Sequence, residues 1–176
     1  MRVAKIIVSM SITLAIMVVI FMLSAQDGEQ SGSLSAAVAR MLASVFVEGF
    51  DSMPSEQQAQ LITQMSWPIR KTAHATEYAC LAISLVVTCW QIAAWRHEAR
   101  GEEQVSLRQI PLVGITAFVI TVLYACSDEI HQLLIDGRAG QVTDVLVDAS
   151  GAAIGCLLIC LLMWRFMTKR MRRCKL

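Results

Sequence analysis

Four apolar stretches, each about 18–25 residues long, constrain this chain more than any other feature. They run from about Ile6 to Leu23, Ala73 to Trp95, Ile110 to Leu134 and Val145 to Phe166. At about 1.5 Å per residue, each is long enough to cross a hydrocarbon core of about 30 Å. Backbone polar groups find no water there, so each crossing segment must satisfy its own as a helix. Composition agrees: 56% of the residues are hydrophobic and only 16% charged, against about 45–50% and about 25% in soluble domains. The expected fold is all-α: one integral membrane bundle over residues 1–176 with four transmembrane helices. The first segment follows Arg2 and Lys5, but its apolar run is too long for a signal peptide and Leu23-Ser24-Ala25 is a poor cleavage site. It is expected to stay as a membrane helix.

Lys and Arg set the orientation. The start of the chain, the connection carrying Arg96, Arg100 and Arg108, and the tail at 167–176 fall on one face with most of the basic residues. That face is expected to be cytoplasmic, with both termini there. The loops at 24–70 and 135–143 then lie outside. The tail reads as a topology anchor touching anionic lipid, with no nucleic-acid partner implied. None of the six cysteines falls in an outer loop, so no secreted disulfide framework is present. Cys156 and Cys160 share a helix face and read as packing residues.

Against this background, ionisable residues in the apolar segments stand out. A charge at the bilayer centre costs roughly 2.5–3.5 kcal/mol on insertion scales and is rare without a use. His74, Glu77, Glu129 and His131, with Lys71, Asp128, Asp144 and Asp148, all fall at the expected outer end of their segments. Helical spacing groups Lys71, His74 and Tyr78 into one stripe, with Glu77 beside them. Asp128, His131 and Gln132 form a second. Asp144, Asp148, Gly151 and Gly155 form a third, which ends in a Gly-x-x-x-Gly step that lets a neighbouring helix approach closely. The short hairpin at 135–143 carries Arg138 between Gly137 and Gly140, with Thr143 or Asp144 as a helix cap. In the long outer loop, Leu34, Val38, Met41 and Val45 repeat at helical spacing with Ser31 or Ser33 as cap. A second short helix is expected from Ser55, with Gln58 completing a capping box and Trp67-Pro68 marking its end. These one or two helices lie on the membrane surface or pack as a cap over the bundle; the sequence leaves both open.

The segment Lys71-Thr72-Ala73-His74-Ala75-Thr76-Glu77-Tyr78 resembles the K-x-x-H-x-x-E-Y motif of the VanZ-like family. So do Ser127-Asp128-Glu129-Ile130-His131-Gln132, the following Gly137-Arg138, and Asp144-x-x-x-Asp148. Ser24-Ala25-Gln26, with Ser31 downstream, is similar to the family's first patch. The resemblance covers about residues 10 to 165. It implies a protein of the bacterial inner membrane near the cell envelope, in a family named for a member linked to low-level resistance to teicoplanin. It does not imply a reaction.

Several functions fit the residues. His74, Glu77, Asp128, Glu129, His131, Asp144 and Asp148 are the catalytic candidates. Lys71, Tyr78, Ser127, Gln132, Arg138, Ser24 and Gln26 are the substrate-binding ones. An enzyme could hold a divalent metal on His74, Glu77, His131 and Asp144, or use His74 with Glu77 as acid and base without one. Lys71 and Arg138 would then hold the phosphate of a lipid-linked wall precursor. A binding or accessory protein could hold the same head group, or a glycopeptide, without chemistry. A small proton-coupled carrier would need a similar relay. Buried ion pairs that only fix helix register are the structural alternative, and His97 is read as structural. The sequence does not give the substrate, the metal or the oligomeric state.

Overall fold

A computed structural model describes residues 2–102, 106–135 and 141–173. Its elements are α1 (Arg2–Ser24), α2 (Gly28–Phe46), a single 3-10 turn (Phe50–Ser52), α3 (Ser55–Ala99), α4 (Gln109–Gln132) and α5 (Val142–Arg173). No strand occurs among the described residues. Four helices, α1, α3, α4 and α5, are long and apolar enough to cross a membrane.

Their surfaces have the polarity expected in lipid. The buried stripe of α1 is Ser9, Thr13, Ile20 and Ser24. Its exposed residues include Val3, Ile7, Leu14, Val18 and Phe21. Apart from Ile20, hydroxyl side chains face inward, and large apolar ones face outward, the reverse of a water-soluble helix. Thr13 and Thr88 share a hydrogen bond of 3.1 Å between α1 and α3. The Tyr124 hydroxyl on α4 donates to the Met17 carbonyl of α1 at 2.7 Å.

Contacts at both ends fix the helix directions. At one end, Arg2 pairs with Glu98 at 2.5 Å, and His97 meets both Gln109 and Glu102. At the other, Ser24 meets Asp128 and Lys71 meets Asp144. So α1 and α4 run one way, and α3 and α5 the other. Gly101, in the left-handed region at φ 72°, closes α3, where the Glu102 amide reaches back to the His97 carbonyl.

The closest seam is between α3 and α5. A Cβ on Gly151 would overlap the Ala75 carbonyl, and one on Gly155 would lie 2.5 Å from the Ala79 oxygen. The Gly-x-x-x-Gly step thus does what its spacing predicts. A second seam joins α4 and α5. There the Cys156 thiol lies 3.6 Å from the Gly114 carbonyl, and a Cβ on Gly114 would meet Cys160 at 2.9 Å. Both cysteines are packing residues.

Several local expectations need correction. The helix starting at Ser55 does not stop at Trp67-Pro68; α3 continues through Pro68 for 45 residues. Proline removes one hydrogen bond and kinks a helix, but neighbouring packing can carry the helix past it. Here Ser66 and Thr72 bond back to the Ile62 and Pro68 carbonyls at 2.7 and 2.8 Å. At about 1.5 Å per residue, α3 is about 68 Å long, so it both crosses a membrane and extends beyond it. The Gln58 side chain donates to the Met53 carbonyl rather than forming the capping box. The cap of α2 is Asp27, which accepts from the Gln30 amide at 2.7 Å; neither Ser31 nor Ser33 takes that role. The stripe Leu34, Met41 and Val45 is exposed. The face that packs is the small one, Ser35, Ala39 and Ala43, against the α3 extension with Phe50 and Ile62. Asp144 lies inside the first turn of α5 rather than capping it. Residues 167–173 continue α5 instead of forming a tail, as good helix formers with basic charge at a helix C-terminus should.

Candidate functional site

Three transmembrane helices present their polar stripes to one another at the end opposite Arg2 and Arg173, and the last turn of α1 closes the group. Ser24, the final residue of α1, donates to Asp128 Oδ2 at 2.7 Å. Gln132, one turn after Asp128 on α4, donates to the same oxygen at 3.0 Å. Asp128 is only 4% exposed, and its Oδ1 is enclosed without a hydrogen-bond partner among the described residues. From α5, Asp148 is 2% exposed. Its Oδ1 also lacks a hydrogen bond among the described residues; the His74 Nδ1 of α3 lies 4.0 Å away. Tyr78, one turn after His74, is completely buried. Its hydroxyl sits within the fields of Asp128 and Asp148 and is directed to Asp128. Glu77, Glu129 and Asp144 are further charged neighbours of Asp148.

The rim is held by two other contacts. Lys71 on α3 forms an ion pair with Asp144 on α5, and its ammonium lies 5.7 Å above the Trp67 ring. Glu129 on α4 accepts the Gln141 amide at 2.5 Å, which ties the start of α5 to the end of α4. His131 stacks on Phe21 of α1, with ring centroids 4.7 Å apart, and its Nε2 is enclosed without a partner among the described residues.

The residues singled out in the sequence therefore divide. Ser24, Lys71, His74, Glu77, Tyr78, Asp128, Glu129, Gln132, Asp144 and Asp148 come together. His131 sits at the edge, turned toward α1. Ser127 faces outward and donates to the Tyr124 carbonyl at 2.7 Å, so the structure does not bring it into the group. Gln26 is half-buried in the turn after α1. Arg138, with Gly137 and Gly140, lies outside the described residues. Lys71 is engaged by Asp144, which leaves it less suited to hold a phosphate than its sequence position suggests.

Arg70 is a residue that the motif reading missed. Its Nε is enclosed without a partner among the described residues. Its guanidinium lies under Gly32 of α2, 3.7 Å from where a Cβ would stand. Only the neighbouring Lys71 signalled it, because the covering helix α2 is far away in sequence.

Among the described residues, no three His, Cys, Asp or Glu side chains are grouped as a metal ion requires. His131 is turned onto Phe21 and Asp144 is paired with Lys71. The four candidate ligands His74, Glu77, His131 and Asp144 do not form one set, and the donors present do not fit a bound divalent metal.

The model of the VanZ/LLP1 family matches residues 10–163. The chain belongs to the VanZ/LLP1 family. The match takes in all of α3 and α4, most of α1 and α5, and every site residue named above. No match was found among curated proteins or among solved structures.

Proposed function

We propose that this VanZ/LLP1 protein binds the polar head group of a lipid or lipid-linked envelope precursor at the outer leaflet of a bacterial inner membrane. The observation that carries this reading is the pair of enclosed carboxylates, Asp128 and Asp148. Each has an enclosed oxygen without a hydrogen bond among the described residues, and the Tyr78 hydroxyl interacts with both carboxylates. A buried acceptor without a donor costs about 1–3 kcal/mol, more when charged. Such a cost is sensible where a ligand supplies the donors. The site is rich in carboxylates, so it favours a head group bearing hydroxyl or ammonium donors, such as a sugar or an amine. Arg70, whose Nε has no partner among the described residues, is a cation available to meet a phosphate. The outer-leaflet placement rests on the basic residues gathered at the other end of the bundle.

A second reading has its own support. His74 and Asp148 stand 4.0 Å apart, a histidine–carboxylate relation suited to proton transfer. Acid–base processing of the same head group would use His74 as the proton carrier and Asp148 as its orienting partner.

The test uses the full chain in lipid nanodiscs. Retention of a glycosylated polyprenyl phosphate and of phosphatidylethanolamine is compared with that of bare polyprenyl phosphate, by native mass spectrometry. Preference for the donor-bearing head groups, lost in Asp128→Asn and Asp148→Asn while both variants stay folded, supports the proposal. Equal retention of all three lipids overturns it. Turnover of a bound lipid that disappears in His74→Asn would favour the second reading. Altered teicoplanin susceptibility of cells expressing the chain would extend it to the phenotype that gave the family its name.

A further inference from the structure

The α3–α5 pair changes character along its length. At the polar end the two helices touch through Gly151 on Ala75 and Gly155 on Ala79. Farther along, the same register places bulky residues at matching levels, Val87 with Met163 and Trp90 with Phe166, and all four line one groove. This open apolar groove of about 450 Å³ is lined by Val87, Trp90, Ile159, Leu162, Met163, Phe166 and Met167.

The groove ends at a band of positive charge. Arg170 follows Phe166 by one turn and Met163 by two; Lys169 follows Leu162 by two turns, and Arg173 follows Phe166 by two. All three basic side chains are exposed. From Asp144 to Phe166, α5 climbs about 33 Å, close to one hydrocarbon thickness. Phe166 therefore stands at the membrane–water boundary, and Lys169, Arg170 and Arg173 stand at head-group level. Trp164 and Trp95, both exposed, mark the same interface.

We propose that this groove is a binding site for an anionic phospholipid. One acyl chain lies between α3 and α5, and the phosphodiester is held by Lys169, Arg170 and Arg173. The shape excludes a polar ligand, because the lining is apolar and faces the bilayer. The charge selects an anionic lipid over a zwitterionic one. The site is at the opposite end of the bundle from Asp128 and Asp148 and stands independently of the function proposed for them.

The experiment uses the full chain purified in detergent. Retention of phosphatidylglycerol and phosphatidylcholine with the same acyl chains is measured by native mass spectrometry, and thermal stability is followed in parallel. Phosphatidylglycerol is expected to bind saturably at one copy per chain and to be preferred. In K169Q/R170Q/R173Q the preference should fall by roughly five-fold per charge removed, with the unfolding temperature in phosphatidylcholine unchanged. Met163→Gln should weaken retention of both lipids, because it makes the groove polar. The control Lys5→Gln/Arg108→Gln removes charge from the same face of the membrane away from the groove and should leave the preference intact. Equal retention of the two lipids overturns the proposal. So does a preference that survives the triple substitution, or one lost equally in the control, which would indicate diffuse surface charge.

Discussion

Gly151 of α5 rests directly on the backbone of Ala75 of α3, one residue past His74. This contact sets the distance between the helices that carry His74 and Asp148. In a bilayer, helix association depends on close packing and hydrogen bonds, since lipid chains are as apolar as the helix surface. A methyl group at position 151 has only the Ala75 backbone to displace. Gly151→Ala should therefore push α5 outward and destabilise the bundle by about 1–3 kcal/mol, the usual cost of overpacking. It should also widen the His74–Asp148 gap. Thermal unfolding of the detergent-solubilised variant checks the first effect. A variant as stable as the parent would mean that the helices do not meet as closely as described.

Ser24 and Gln132 converge on one oxygen of Asp128. Ser24→Ala removes a donor from a buried acceptor, which should cost about 1–3 kcal/mol. Asp128→Asn keeps a carbonyl oxygen for both donors and should cost less than Ser24→Ala. The order of unfolding temperatures is the measurement. If Asp128→Asn were the more damaging change, the charge of Asp128 would be needed for the fold itself.

Much of this arrangement is legible in the sequence, and the boundary of legibility has a physical cause. The four long helices follow from the length of the apolar runs, and the meeting of Lys71 with Asp144 follows from helix direction and periodicity. The Gly151 and Gly155 contacts follow from their spacing on the Asp144 stripe. What could not be read depends on packing between distant segments. Pro68 predicts a helix end, yet the packing of α2 and Phe50 against Ile62 and its neighbours carries α3 through it. The large apolar residues of α2 suggest its packed face, but Ala39 and Ala43 are the residues that fit against α3. The burial of Arg70 depends on that same docking. His131 sits in a motif with Asp128, but its contact with Phe21 depends on how α1 lies against α4.

Lys71 and Asp144 lock the entrance to the site, and both are partly exposed, with side chains 19% and 29% accessible. An ion pair of that kind contributes modestly, about 1 kcal/mol after solvent screening. Lys71→Ala should lower stability by about that amount, and the reversed pair Lys71→Asp/Asp144→Lys should recover part of it. A double-mutant cycle on unfolding temperature measures the coupling. No recovery in the reversed pair would mean that each residue has separate partners that matter more than the pair.

Asp148 separates a structural role from a functional one. It is enclosed, and one of its oxygens has no hydrogen bond among the described residues. Other carboxylates surround it. If Asp148 served only the fold, its replacement by asparagine would remove an interaction and lower stability. If the site is held open for a ligand, Asp148→Asn keeps the shape of the side chain and removes a buried carboxyl crowded by other carboxylates, and the protein should be as stable as the parent or more so. Head-group retention should fall at the same time. Unfolding temperature and lipid retention, measured on the same preparation, distinguish the two. Stability that drops together with retention would return Asp148 to the fold; stability held or raised while retention is lost would place it in the binding site.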